Sequence, residues 1–261
     1  MNVIVCIKQV PDTTRVEIDP QTNTLVREGI ESVLNPLDSY AIEEALRLRE
    51  RLGGRVTALT MGPPQAEAAL REVLALGADE GVLLTGREFA GSDTWSTSYA
   101  LACAVRALGG ADLILCGRQA IDGDTAQVGP ELAVHLGLPQ AVCVRRILQV
   151  GPGGAVVECL TDAGHDVVRI PLPAVMTAVK ELNEPRRPNL EDLHRSRVAC
   201  IRRLDAAAVG ADRDEIGLDG SPTRVVRIFS PPRRAGGRVF EEDLDAGVEA
   251  ALRLMASEGL L

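Results

Sequence analysis

Over the first ~140 residues, short β-branched apolar runs alternate with longer stretches of helical period, the pattern of a parallel sheet covered by helices. Buried strands are expected at Val3 to Ile7, Val56 to Thr60, Gly81 to Thr85 and Leu113 to Cys116. The first long helix has a legible start: Asn35 can accept from unpaired N–H groups as N-cap, Pro36 suits the first helical position, and Asp38 complements the dipole. Ile42, Ala45, Leu46 and Leu52 then recur on one face. Further helices are expected in the Ala/Leu-rich run before Gly77, from about Asp93 to Leu108, and from near Thr125 to near Gly137. A hairpin, Arg15 to Asp19 and Thr24 to Arg27 around Pro20-Gln21-Thr22-Asn23, is inserted before the first long helix.

Beyond Pro139 the character changes. Ala141 to Val150 and Ala155 to Thr161, joined by Gly151-Pro152-Gly153-Gly154, predict a β-hairpin; Asp166 to Ile170 and Ala174 to Thr177 add two strands, with antiparallel pairing extending the sheet. From Lys180 onward, NEPRRPNLEDLHRSR and the polar stretch Asp205 to Arg224 carry too little periodic apolar surface for a core of their own. A last helix, about Glu241 to Glu258, places Leu244, Val248, Ala251, Leu252 and Met255 on one face and needs a surface to dock on. The expected fold is α/β: a doubly wound, mostly parallel sheet with an added antiparallel hairpin and a C-terminal arm. Residues 1–180 form the α/β domain, and residues 181–261 the extended arm and C-terminal helix.

Composition narrows the chemistry. The chain has 261 residues, enough for one or two domains. A net charge of −9 repels phosphate backbones, and one Trp, two Tyr and three Phe leave few rings to stack bases, so nucleic acid is excluded as a partner. A small anion could still bind at a local cradle. The six cysteines form no C-x-x-C and mostly sit in apolar runs, which favours free buried thiols in a reducing compartment. No apolar run reaches the ~18 residues of a membrane span. The N-terminus lacks a basic leader and reads as a first strand, so a cytoplasmic location is expected.

The catalytic inventory is sparse. His135, His165 and His194 lie in different contexts, with no H-E-x-x-H, no paired ligands for a metal, no G-x-S-x-G elbow and no Walker A loop. Cys116 ends a strand before a glycine loop, but no base lies near it in sequence, and a packed thiol is the simpler reading. The segment that stands out is LILCGRQAIDGDTAQVGPELAVHL, residues 113–136. A strand, a loop with Gly117 and Gly123, and a helix start with Asp124, Thr125 and Gln127 make an anion cradle at the carboxyl edge of a parallel sheet, with phosphate the natural guest. The same residues could simply cap a helix and turn the chain. Asp122 and Asp124 would repel phosphate unless they face hydroxyls or backbone donors, and Arg118 can offset them. Three other strand ends, Cys6-Ile7-Lys8, Thr60-Met61-Gly62-Pro63 and Gly91-Ser92-Asp93-Thr94, converge with Asn35-Pro36-Leu37-Asp38 on the same edge and could wall an adenine nucleotide.

These residues resemble the β subunit of electron transfer flavoprotein. The likeness runs over essentially the whole chain through VCIKQVPD (5–12), NPLDSYAIEEALRL (35–48), TMGPP (60–64), CGRQAIDGDTAQVGPELAVHLGLPQ (116–140), LNEPR (182–186) and GSPTRVVRIFSPP (220–232). The resemblance implies a heterodimer with an α subunit that holds a shuttling FAD, while this chain supplies an adenine nucleotide site and a surface for an acyl-CoA or related dehydrogenase. GDTAQVGP (123–130) and AGSDTWSTSYALA (90–102) look like the electron-bifurcating type, which implies a second FAD here with NADH as a possible donor; the respiratory type holds AMP instead. Carried over by motif, Cys6, Asn35, Asp38, Met61 and the run Asp122, Gly123, Asp124, Thr125, Ala126, Gln127, Val128, Gly129 to Ala133 should line the nucleotide. Asp124, Thr125, Gln127, Val128 and Gly129 would lie nearest the phosphates, and Asp93, Thr94 and Thr97 beside the flavin ring. In the arm, RPNLEDLHRSR departs from the family's lysine-rich pattern, with Leu190 in the position of the partner-binding leucine but Glu191 and Asp192 beside it. A hydrolase or adenylating enzyme would need a glycine-serine phosphate loop after the first strand, and VCIKQVPD has none; a non-redox adenine-nucleotide-binding module stays open.

Overall fold

The computed structural model describes residues 1–12, 17–18, 25–26, 32–226, 237, 239–241 and 243–261. Its first half runs β1 (Asn2–Cys6), β2 (Gln9–Pro11), β3 (Glu17–Ile18), β4 (Leu25–Val26), β5 (Ser32–Leu34), α1 (Asp38–Leu52), β6 (Arg55–Met61), α2 (Glu67–Leu76), β7 (Glu80–Leu84), α3 (Thr94–Ala107) and β8 (Leu113–Gly117). There follow α4 (Val128–Leu136), β9 (Gln140–Gly151), β10 (Gly154–Thr161), β11 (Gly164–Ile170), β12 (Ala174–Ala178), α5 (Leu190–Val198), β13 (Ile201–Leu204), α6 (Ala206–Val209) and α7 (Leu244–Ser257). Nine strands form one sheet in the order β11-β10-β9-β12-β8-β1-β6-β7-β13. The pairs from β9 through β13 along this order are parallel, and β10 and β11 extend it antiparallel.

Alternation along the central strands explains the double winding. Val3 and Val5 of β1 join Leu113 and Leu115 of β8 in one core with Ile42, Ala45 and Leu46 of α1 and Leu70 and Val73 of α2. Ile4 and Cys6 point the other way, with Ile114, Cys116 and Leu59, into a second core with Leu101 and Val105 of α3 and Leu132 of α4. A strand buried on both faces reads as a continuous apolar run, as VIVCI and LILC do.

Four features differ from the sequence expectation. Ala174–Ala178 is a parallel strand between β8 and β9, so within the nine-stranded sheet antiparallel pairing is confined to β9-β10-β11. Residues 181–224 pack on the sheet: Ile201–Leu204 pairs in parallel with β7, and Leu204, Ala206, Val209 and Ile216 are buried in the second core. Isolated apolar residues suffice there because they extend an existing core and need not build one. One compact unit is Met1–Arg224 and another Val225–Leu261, a division that falls later than the expected boundary at residue 180. Finally, α1 starts at Asp38 after Leu37, not at an Asn35 cap, and α4 starts at Val128 rather than near Thr125. Left-handed φ angles at Asp124 (53°) and Ala126 (56°) are incompatible with a helix in that turn. Of the hairpin expected before α1, β3 and β4 pair antiparallel; its remaining residues, including the Pro20 to Asn23 turn, lie outside the described residues, as do residues 227–232 of GSPTRVVRIFSPP.

Candidate functional site

Sheet order reverses at β1. The chain proceeds from β1 to β6 and β7 on one side, then crosses back to β8 and β12 on the other. Helices diverge to opposite faces at such a point and leave a crevice at the carboxyl ends of the strands. A cavity of ≈ 380 Å³ lies there, within the range of small-molecule sites.

Its near wall is the loop after β8 and the start of α4. Gly117, Gly123 and the run Asp124 to Gly129 all line it. The alternation of left-handed Asp124 and Ala126 with their neighbours makes a concave backbone of the kind that binds anions. Gln127, the N-cap of α4, makes no side-chain bond to the helix, so the first-turn N–H groups are left without a side-chain cap where they face the cavity. Two glycines are fixed by packing. A Cβ on Gly129 would meet Thr177 Cγ2 at 2.5 Å, and one on Gly117 would meet Asp38 Oδ1 at 2.3 Å and the Asp38 backbone N at 2.8 Å.

The floor is a polar cluster beneath this loop. Asn35, 1% exposed, donates from Nδ2 to Asp38 Oδ1 (2.8 Å) and to the Gln119 carbonyl (2.9 Å), and its Oδ1 accepts from Ile121 N (3.2 Å). These bonds explain why Asn35 does not cap α1: its amide fastens the start of α1 to the near-wall loop. Lys8 N donates to Asp38 Oδ2 (2.7 Å). Burial pushes the Asp38 carboxyl up to about 7, against the pull of the Asn35, Lys8 and Gly117 N–H groups and the Lys8 charge. Lys8 Nζ grips both oxygens of Asp122 at 2.8 and 2.7 Å. Cys6 and Cys116 are register partners on β1 and β8 and line the cavity. The Cys116 thiol, hydrogen-bonded to Cys6 and buried, is pushed well above the ordinary cysteine range, which makes it a packed thiol and no nucleophile.

The far wall is the start of α3. Ser92, Asp93, Thr94, Thr97 and Leu101 line the cavity there, with Met61 at the end of β6. Asp93 caps α3, its Oδ1 accepting from Ser96 N at 3.1 Å. Thr94 Oγ1 donates to Glu131 Oε1 at 3.1 Å, joining α3 to α4.

The cavity thus brings together Cys6, Asn35, Asp38, Met61, Asp93, Thr94, Thr97 and Gly123 through Gly129. Two residues of the expected set stand apart. Asp122 reaches the site through its ion pair with Lys8, and Ala133 is fully buried in the core beside Leu132. Leu190 opens α5, outside the cavity, and is 86% exposed. Leu101 was not singled out from sequence, where its apolar side chain reads as ordinary helix core. Among the described residues no group of His, Cys, Asp and Glu could hold a metal ion, and no helix is long and apolar enough to cross a membrane.

Fold and site together define a doubly wound α/β protein with a polar, glycine-lined crevice at its topological switch point. Residues 22–209 match the family model described as electron transfer flavoprotein domain. The chain is 44% identical to the electron transfer flavoprotein subunit beta of Thermoanaerobacterium thermosaccharolyticum over 100% of both chains. It is 47% identical to the Megasphaera elsdenii subunit beta over 94% of this chain and 93% of that one. It is 45% identical to the caffeyl-CoA reductase-Etf complex subunit CarD of Acetobacterium woodii over 92% of each. The chain belongs to the electron transfer flavoprotein family, on its β-subunit side.

Proposed function

We propose that this chain is the β subunit of a cytoplasmic heterodimeric electron transfer flavoprotein, that its crevice holds an FAD, and that the α subunit carries a second FAD. In this reading it passes electrons between NADH or an acyl-CoA-type dehydrogenase and an acceptor, with electron bifurcation when both flavins are present. The observation that carries it is the continuity of one cavity from the uncapped start of α4 to Thr94, Thr97, Leu101 and Met61. One end suits a phosphate; the other offers apolar and hydroxyl groups that suit a ring system. The likeness to CarD, named for a reductase–Etf complex, is in keeping with it.

When bound, the flavin supplies the redox chemistry. The residues supply placement. Backbone N–H groups of Val128 and Gly129 and the Thr125 hydroxyl would hold phosphate, with Asp124 and Gln127 beside them. Gly117 and Gly129 let the backbones approach, Asn35 fixes the loop to α1, and Lys8 offsets the Asp122 charge. No side chain has to act as nucleophile or acid.

AMP as a structural ligand is the second reading, favoured by the modest ≈ 380 Å³ of the cavity, toward the lower end for ligand sites. Coexpression with the α subunit, extraction and identification of the bound nucleotides separates the two. Two flavins per heterodimer are expected; one flavin and one AMP would establish the alternative. No flavin at all would overturn the redox reading and leave a nucleotide-binding module.

A further inference from the structure

Asp93 stands on the far wall, yet its carboxylate is largely taken up by bonds within the protein. Its Oδ1 accepts from Ser96 N (3.1 Å), its Oδ2 accepts from Thr223 N (2.9 Å) and Thr223 Oγ1 (2.7 Å), and the Trp95 N–H also donates to it. The three hydrogen bonds from Ser96 and Thr223 take up most of the roughly four lone-pair sites of an ionised carboxylate. Burial pushes this carboxyl up, but the donors from Ser96, Thr223 and Trp95 outweigh it and hold it below the usual aspartate range. The segment that carries Thr223 is stitched to the same loop at two more places and braced by a bond of its own. Asp93 N donates to Ser221 Oγ (2.8 Å), Ser221 Oγ donates to the Gly217 carbonyl (2.6 Å), and Gly217 N donates to Ser92 Oγ (2.9 Å). Gly91, at φ 79°, lets the backbone approach Leu218, where a Cβ would meet the Leu218 Cβ at 3.0 Å.

We infer that Thr223 is a positioning residue for the nucleotide crevice: by engaging Asp93 from behind, it holds Ser92, Thr94 and Thr97 in place, and so sets affinity for ligands long enough to reach the far wall. The inference rests on the reading that FAD occupies the crevice. A mononucleotide held at the start of α4 does not depend on that wall; a dinucleotide with a ring at its far end does. Asp93 therefore acts through the loop it fastens, and touches no ligand.

The test uses the heterodimer freed of nucleotide, titrated separately with FAD and with AMP. Thr223 is exposed, so its replacement leaves the core intact. Thr223→Val, which removes the hydroxyl, is expected to weaken FAD about tenfold while changing AMP less than twofold, and Thr223→Ser to restore FAD binding. Hydrogen exchange over residues 89–97 should rise in the valine variant and return in the serine variant. Equal weakening of FAD and AMP, or unchanged FAD affinity in Thr223→Val, would overturn the inference while leaving the flavin reading intact. Failure of the unaltered heterodimer to bind FAD would overturn both.

Discussion

The crevice and the segment from Asn183 to Val198 use polar groups in opposite ways. In the crevice the first turn of α4 has no side-chain cap and the loop before it is left-handed at Asp124 and Ala126. In the segment several polar groups fasten it to the sheet domain: Asn183 Nδ2 donates to the Tyr40 carbonyl (2.9 Å) and Glu44 (3.2 Å), Arg71 donates to the Ser196 carbonyl (2.7 Å), and Arg195 to that of Ala78 (3.2 Å). Arg186 pairs with Glu43 (2.7 Å) and with Glu50. Among exposed charged residues the segment also presents bare apolar side chains, Leu190 at 86% and Val198 at 76% exposure. Partly enclosed donors without protein partners suit a small polar ligand; fastened polar groups beneath exposed apolar ones suit a protein surface.

The harshest way to break this comparison is to close the crevice from its floor. Gly117→Ala would drive a methyl group into the Asp38 carboxyl and backbone, and Asp38 is buried with no room to retreat. Overpacking of this kind costs about 3 kcal/mol. Thermal denaturation should show a lowered midpoint and nucleotide extraction an empty site. If nucleotide survives at full occupancy, the ligand does not depend on this approach of β8 to α1.

Asp38 gives the next largest effect, and it is a pH effect. Its carboxyl is raised from 3.8 to about 7, so burial favours the neutral form in the fold. The stability this contributes is present in full below 3.8 and is lost as pH rises through about 7. An ionised Asp38 also places a negative charge under the anion cradle, so nucleotide affinity should fall over the same interval. Asp38→Asn cannot ionise, and its amide sets a donor against the N–H of Asn35 or Lys8. It should be less stable at pH 5 yet lose the slope between pH 5 and pH 8 seen in denaturant titrations of the unaltered chain. A slope that persists in the asparagine variant would assign it to another group.

Much of this arrangement was legible in the chain, and the failures share a cause. Central strands announced themselves because burial on both faces demands unbroken apolar runs, and the near wall because glycines and short polar residues cluster between a strand and a helix. β13 was missed because Ile201-Arg202-Arg203-Leu204 has no alternation and only its two end residues are apolar. The left-handed turn before α4 falls on Asp124 and Ala126, so no glycine marked it. Asn35 has the right chemistry for a cap, but its partners Gln119 and Ile121 lie far along the chain. Asp93 lines the crevice as expected, but its bonds to Thr223, 130 positions away, could not be read from the chain. Local rules find residue types that can bond, while the choice among bonds is made by tertiary neighbours.

On the segment side, Glu43→Gln attacks the clamp. Burial pushes the Glu43 carboxyl up, but Arg186 and Arg47 more than offset this and hold it below the usual glutamate range. Its contribution to stability is present above the ordinary glutamate pKa and is lost as pH falls through the lowered one. Replacing the charge weakens several charge-assisted bonds at once, at a cost of about 2 kcal/mol. Hydrogen exchange over residues 183–189 should rise and docking to the proposed dehydrogenase partner should weaken, with nucleotide content unchanged. Nucleotide loss in this variant would mean that the two regions are not independent.

Leu190→Ala is the smallest change and the sharpest. The side chain is exposed, so its truncation exposes no core and the melting midpoint should stay within a degree or so of the parent. If it anchors in a partner's apolar pocket, loss of that contact should weaken docking about tenfold, or ~1.4 kcal/mol. Steady-state electron transfer should then show a raised KM for the partner with little change in kcat, because the flavin environment is untouched. The neighbouring Glu191 and Asp192 add a second handle. Asp192 is already held by Arg195 (2.9 Å), which leaves Glu191 free to meet a partner's cation. Docking that loses affinity with salt in the parent, but less so in Glu191→Gln, would mark a basic rim around that pocket. An unchanged KM in Leu190→Ala would move the partner surface elsewhere and leave the fastened segment as a structural brace alone.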